Sequence, residues 1–199
     1  RLDREDQAAQ TSLAAAQDEA DPLRRLAHLL DVRASLARWR AFHRPLEIVA
    51  PAEAAERHPF IEGAALDRLV REASAGVAVA IEVSPAEAPS ASAVAHALAQ
   101  AVSRGGMQRV DAPEEARIHV RVVLAEQATH RTNQDFAFWD ISARVDMLDR
   151  QRGTSIGAAT FAEREGANDL QDARLRASLR VSDALVPRFF DDLKASLRN

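Results

Sequence analysis

The apolar residues of this chain recur at helical spacing up to about residue 75 and at strand spacing over much of the remainder. Residues 1–20 are polar and alanine-rich and read as a helix. Asp21-Pro22 then marks a restart, an N-cap residue followed by proline at the first helical position. The next helix should run from Pro22 to about His43 and stop at Arg44-Pro45, because the residue before a proline is pushed out of the α region. Its apolar positions fall on two sides, Leu23, Leu30, Ala37 and Ala41 on one and Leu29, Val32, Leu36 and Trp39 on the other. A lone surface helix shows one stripe, so this helix is expected to pack against two neighbours. Residues 45–60 hold three prolines and read as a connector, with Leu46–Ala50 as a short strand. Phe60 to Ser74 reads as another helix, carried by Ile61, Ala65 and Leu69 and closed by Gly76.

The period changes at Val77. Val77–Val83 is a β-branched run, uncharged up to Glu82, as expected of a strand buried on both faces. Pro85 and Pro89 mark a loop, and Ser90 to Arg104 reads as a helix on Val94, Leu98 and Ala101. Three alternating segments come next. Ile118, Val120, Val122 and Leu124 share one side of the first, with His119, Arg121 and Val123 on the other. Trp139, Ile141, Ala143, Val145 and Met147 oppose Asp140, Ser142, Arg144 and Asp146 in the second, and Thr154–Ala162 alternates in the same way. A period of two is the mark of half-buried strands. Asp149–Gly153 reads as the hairpin turn between the last two. A final helix from about Asn168 carries Leu170, Ala173, Ala177, Val181 and Ala184, and should kink or break near Pro187, with the stripe moving to Phe189, Phe190, Leu193 and Leu197.

The expected fold is α+β. A helical N-terminal segment (1–75) precedes a βαβββα domain (76–199), whose mainly antiparallel sheet is covered by helices on one face. The polar side of the strands, with Arg121, Arg144 and Asp146, then faces water or a partner.

Composition narrows the function. The formal net charge of −4 argues against nucleic-acid binding, which needs a clustered basic surface. With no cysteine, disulfides, thiolate zinc sites and cysteine nucleophiles are all excluded. No apolar run reaches the length of a membrane span, so membrane contact is expected only through a lipid anchor outside this sequence. The start at Arg1, without an initiator Met, reads as a mature or trimmed chain.

Few residues suggest chemistry. None of the six histidines sits in a metal-binding pattern. His119 and Arg121 share one strand side, and His130 falls in the following loop; they read as a small polar site or as solvated sheet surface. Gly105-Gly106 follows a helix, the wrong order for a phosphate cradle. Gly153–Gly157 reads as turn and strand, and no serine sits in a nucleophile elbow. No cofactor and no catalytic residue are expected. From Asp21 to Arg44 six arginines face two aspartates, a basic face toward an acidic partner or the solvated side of a packed helix. The run Asp135–Asp140 holds three of the nine aromatic residues. Trp139 is expected to anchor the core with Phe136 and Phe138 covering a sheet edge, or all three to form a partner-binding rim. Phe136, Phe138, Trp139, Arg121 and Arg144 are therefore the candidate partner-binding residues.

From Val77 onward the chain resembles the small α/β domain of a group of bacterial envelope proteins. These are the TolB N-terminal domain, the curli-secretion lipoproteins, the flagellar assembly protein FlgT and the lipoprotein activators of penicillin-binding proteins. The matching features are the strand VAVAIEV, a helix with ALAQAV, the strand IHVRVVL, a strand ending VDMLD, the turn DRQRG, the strand SIGAATF and an alanine-rich final helix. The resemblance implies a non-catalytic protein, periplasmic or outer-membrane-associated, that assembles or maintains an envelope structure through a protein partner. Two other readings stand beside it. One is a small-molecule or lipid-binding module with its pocket between the N-terminal helices and the sheet, near Trp39 or Trp139. The other is an enzyme whose polar residues converge from distant segments.

Overall fold

The computed structural model describes residues 1–130 and 136–196. The side chains of His130 and Phe190, and residues Asp135 and Leu197, lie outside the described ones. The chain forms two compact units, Arg1–Gly76 and Val77–Asn199.

The first unit is helical. Helix α1 (Leu2–Asp18) buries Leu2, Ala9 and Ala16, two turns apart, and packs along α2 (Pro22–Val49). The restart at Asp21 is a true cap, its Oδ1 accepting from the Leu23 N–H at 3.0 Å. Helix α2 also packs against α3 (Pro51–Ala55) and α4 (Gly63–Ala75), the second burying Leu66 and Ala73. Of the two predicted stripes on α2, the one through Leu29, Val32, Leu36 and Trp39 is buried. Ala37 and Ala41 are exposed, and Leu26 and Ala27 join the core instead.

Three expectations for this unit fail. Helix α2 runs through Pro45, so Leu46–Val49 is helical, and Ile48 and Val49 are 83% and 78% exposed. The side chain of His43 ties down the turn where the proline removes a backbone bond. Its ring stacks on Trp39 at 4.5 Å, its Nδ1 lies 3.3 Å from Glu47 Oε1, and its Nε2 lies 3.0 Å from the Ala54 carbonyl. Side-chain contacts of this kind hold a helix across a position that local propensity would break. Helix α4 begins at Gly63 and not at Phe60, which is 46% exposed and whose N–H goes to Asp6 Oδ1.

The second unit is a five-stranded mixed sheet in the order β2-β1-β3-β4-β5. Its strands are β1 (Ala78–Ser84), β2 (Gln108–Val110), β3 (Ile118–His130), β4 (Ala137–Asp149) and β5 (Thr154–Ala167). Strand β1 runs parallel to both β2 and β3, and β3, β4 and β5 form the antiparallel meander. Helix α5 (Ala91–Arg104) links β1 to β2, and α6 (Leu170–Ser196) follows β5. Strand β2 was not expected: three residues, Gln-Arg-Val, are too short and too polar to show a period. Strands β3 and β5 also continue past the predicted ends at Leu124 and Ala162.

The core lies where Val94 and Leu98 of α5 and Ala177 and Val181 of α6 meet Val120, Val122, Ala143 and Val145 of the sheet. Helix α6 passes through Pro187 without a break, and Leu185, Phe189 and Leu193 stay on one buried stripe. An interior proline costs about 3 kcal/mol, whereas burying three such side chains contributes roughly 1.5–3 kcal/mol each, so packing wins. The turn after β4 closes as predicted. Asp149 Oδ1 accepts from the Gln151 and Arg152 N–H groups at 3.0 and 3.1 Å, and Gly153 supplies the left-handed residue at φ 66°. Asp149 is itself buried against Arg117, Nη2 to Oδ2 2.9 Å.

Candidate functional site

Pleating sends successive side chains of β3, β4 and β5 to opposite sides of the sheet, and the register aligns those sides across strands. One side carries the core. The other carries Arg121, Val123, Ala125 and Gln127 of β3, and it stays open, with Val123 46% exposed. Cross-strand pairing sets Asp146 beside Arg121, Arg144 beside Val123, and Thr160 and Ala162 of β5 beside Arg144 and Ser142.

Polar groups on this outer face gather at two places. Near the β1 side, Glu82 Oε2 lies 3.1 Å from His119 Nε2 and 3.8 Å from Arg121 Nε, and Arg144 Nε lies 3.2 Å from Asp146 Oδ2. Contrary to the reading of a solvated His119, that ring is buried. Its cross-strand neighbour on β1 is Ala80, also buried, so the alternation fails where β1 and β3 meet.

Toward the other end of the strands, Asp140 accepts from Thr129 Oγ1 at 2.7 Å and from both Nη2 (3.0 Å) and Nε of Arg164. The Arg164 guanidinium, helped by the Thr129 hydroxyl, holds the Asp140 carboxyl down at about 2. A depression of about 570 Å³ lies here, lined by Ala125, Gln127, Ser142 and Ala162 together with Asp140 and Arg164. Several polar groups thus converge in one hollow, as a dispersed active site would require. The perturbed one, however, is moved away from neutral pH, where proton transfer needs it. Asp140 is an acceptor already filled by arginine and threonine.

The five predicted partner-binding residues divide between the two faces. Arg121 and Arg144 are close neighbours on the outer face and are exposed. Phe138 is on the same face but six residues along β4, and its half-buried ring covers Gly166 of β5. A Cβ at Gly166 would fall 2.8 Å from Phe138 Cε1, so the glycine gives the ring its seat. Phe136 precedes the strand and is 49% exposed. Trp139 points inward and is buried.

Trp139 belongs to a set of residues that the sequence reading missed. Its Nε1 donates to Glu126 Oε2 at 2.8 Å, while Glu126 also accepts from the Ser90 N–H at 2.9 Å and Ser90 Oγ at 2.8 Å. Ser178 Oγ lies 2.5 Å from Ser90 Oγ and 2.8 Å from the Arg174 carbonyl, and since the Ser90 proton goes to Glu126, the single Ser178 proton serves one of these two acceptors. One carboxyl group thereby joins β3, β4, the start of α5 and α6. The signal was present: continuing the Ile118–Leu124 alternation by one step puts Glu126 on the core side, where a carboxyl group needs donors and an indole N–H needs an acceptor.

In the first unit Trp39 is also buried, its Nε1 donating to Asp6 Oδ2 at 3.2 Å. A cavity of about 240 Å³ in that unit is walled by Leu13, Ala16, Leu29, Leu69 and Ala73. Among the described residues, no three histidines or carboxylates come together as a metal site, and no helix is long and apolar enough to cross a membrane.

No protein family and no curated protein matches the sequence. Among solved structures, the chain is similar to a minor lipoprotein from Acinetobacter baumannii, with 16% identity and a TM-score of 0.42 over 59% of this chain and 90% of that one. It is similar also to lipoprotein GNA1162 from Neisseria meningitidis, with 10% identity and a TM-score of 0.41 over 58% of this chain and 99% of that one. A third is rare lipoprotein B from Shewanella oneidensis, with 8% identity and a TM-score of 0.34 over 59% and 92%. All three are lipoproteins of bacteria.

Proposed function

We propose that this chain is a non-catalytic cell-envelope protein, periplasmic or outer-membrane-associated, that helps assemble or maintain an envelope structure by binding a protein partner through the outer face of its sheet. The observation that carries the reading is the make-up of that face. Exposed small apolar side chains, Val123, Ala125 and Ala162, lie between two sets of ion pairs, Arg121–Glu82 with Arg144–Asp146 on one side and Asp140–Arg164 on the other. An apolar centre with a charged rim is the composition of protein interfaces. Arg121 and Arg144 serve this surface directly, Phe138 and Phe136 border it, and Trp139 supports it from the core side. The envelope placement is supported by the resemblance of the strand, turn and helix pattern to the TolB-, curli- and FlgT-type domains.

Capture from envelope extract tests the reading. The parent chain is expected to retain a defined partner that Val123→Lys loses while its melting is unchanged. An identical set of captured proteins for parent and variant would remove the outer face from the account. Recovery of the full gene product in the cytosolic fraction would remove the envelope placement.

A further inference from the structure

The two edges of the sheet are built differently. Strand β2 closes one edge with three residues, flanked by the Arg109–Asp111 pair at 3.6 Å and followed by Pro113. Short length, charge and proline all blunt an edge against further pairing. The opposite edge is β5, fourteen residues long, whose one neighbour in the sheet is β4. From Thr154 to Ala162 β5 has no charged residue and no proline. Its register against β4 skips Ile156, since Met147 pairs with Gly157 and Leu148 with Ser155, so the regular edge begins at Gly157. Among the described residues, β5 makes backbone hydrogen bonds to β4 and to no other element. The uncharged stretch of this edge strand, ahead of Glu163, Arg164 and Glu165, is a template for another strand.

We propose that β5 pairs antiparallel with β5 of a second copy of this chain, about a two-fold axis at Thr160, joining the two sheets into one. A second copy fits because β5 is self-complementary about Thr160, and the charge pattern selects the direction. Parallel, in-register pairing would set Glu163, Arg164 and Glu165 each against its own like charge. Antiparallel pairing about Thr160 over the regular stretch Gly157–Glu163 sets Glu163 opposite Gly157 and leaves Arg164 and Glu165 beyond it, so no like charges face each other. The same register puts Phe161 opposite Ala159 and Ala158 opposite Ala162, which leaves room for the one large ring. Thr160 meets Thr160, a favourable cross-strand pair. Residues paired this way keep matching sides, so the core-bearing faces of both copies lie on the same side of the joined sheet. The contact is isologous, as a two-fold requires. It uses the edge and not the outer face, so it stands apart from the partner reading above.

Light scattering of the full chain over a range of concentrations is expected to show a two-chain mass that falls toward one chain on dilution. Thr160 is exposed, so Thr160→Lys and Thr160→Glu leave folding intact but set like charges face to face on the axis. Each variant alone is expected to be a single chain by mass, and an equimolar mixture is expected to recover the two-chain mass. Val123→Lys, on the outer face, should leave the mass unchanged. A parent that stays a single chain at every concentration would overturn the second copy as occupant. A mixture that stays dissociated, or Thr160 variants that still pair, would overturn the register.

Discussion

The two faces of the sheet in Val77–Asn199 are made by the same strands, one residue out of step. On the inner face Ile118, Val120, Val122, Ala143, Val145 and Met147 are buried; on the outer face Arg121, Val123 and Arg144 are exposed. Each face also holds a carboxyl group with several donors. Glu126 on the inner side takes Trp139 and Ser90, and Asp140 on the outer side takes Arg164 and Thr129. The difference lies in what replaces a lost contact. Trp139 and Ser90 are buried, so removing their acceptor leaves an indole and a backbone N–H with little access to water. On the open face water fills the gap, and the pair contributes orientation more than stability. The inner carboxyl group is therefore a fastening of the fold, and the outer one a feature of the surface.

The contrast is open to test, beginning with the largest expected effect. Trp139→Ala should destabilise the second unit by roughly 3–5 kcal/mol in denaturant titration, because it leaves a large cavity under the sheet. A variant that unfolds like the parent but loses a partner would transfer Trp139 to an interface and undo its assignment to the inner face. Glu126→Ala should cost about 1–3 kcal/mol by leaving the Trp139 indole and the Ser90 N–H unpaired. Glu126→Gln, which keeps an acceptor oxygen, should cost less, and equal losses would deny the carboxyl group its joining role. The Val123→Lys variant of the capture experiment should stay within about 0.5 kcal/mol of the parent.

Asp140→Asn is set apart by its pH dependence. Asp140 is held at about 2, below its ordinary 3.8. Its contribution is thus complete above about pH 4 and is lost as the pH falls toward 2. Parent and variant should differ by a constant amount above that window and converge inside it, as followed by acid unfolding. A difference that persists at pH 2 would trace the effect to something other than the charge on Asp140.

Much of the fold was legible in the residues. The period of two located β3, β4 and β5 and sorted their faces, and the Asp149–Gly153 turn and the Asp21 cap followed from side-chain chemistry. The failures share a cause. Pro45 reads as a helix end and Pro187 as a kink or a break, yet His43 bridging Trp39, Glu47 and Ala54 carries α2 through, and the buried stripe of Leu185, Phe189 and Leu193 keeps α6 unbroken. Strand β2 exists because β1 offers it an edge, not because Gln-Arg-Val favours extension. Of the candidate residues, Arg121 and Arg144 were placed together correctly, since they alternate on neighbouring strands. Of the two readings of Phe136, Phe138 and Trp139, the structure agrees with Trp139 as a core anchor and with Phe138 covering the edge strand at Gly166, because adjacent strand residues point to opposite sides.

By itself, then, the sequence determined most of the longer helices and strands and which positions of β3 and β4 share a side, because these follow from local spacing and from the chemistry of single turns. Only the tertiary structure decided that Glu126 would gather Ser90, Ser178 and Trp139, that Asp140 would be held by Arg164, and that β5 would end the sheet as an open edge. Each of these depends on which strand lies next to which and on how much water remains between them. No spacing along one strand contains that information.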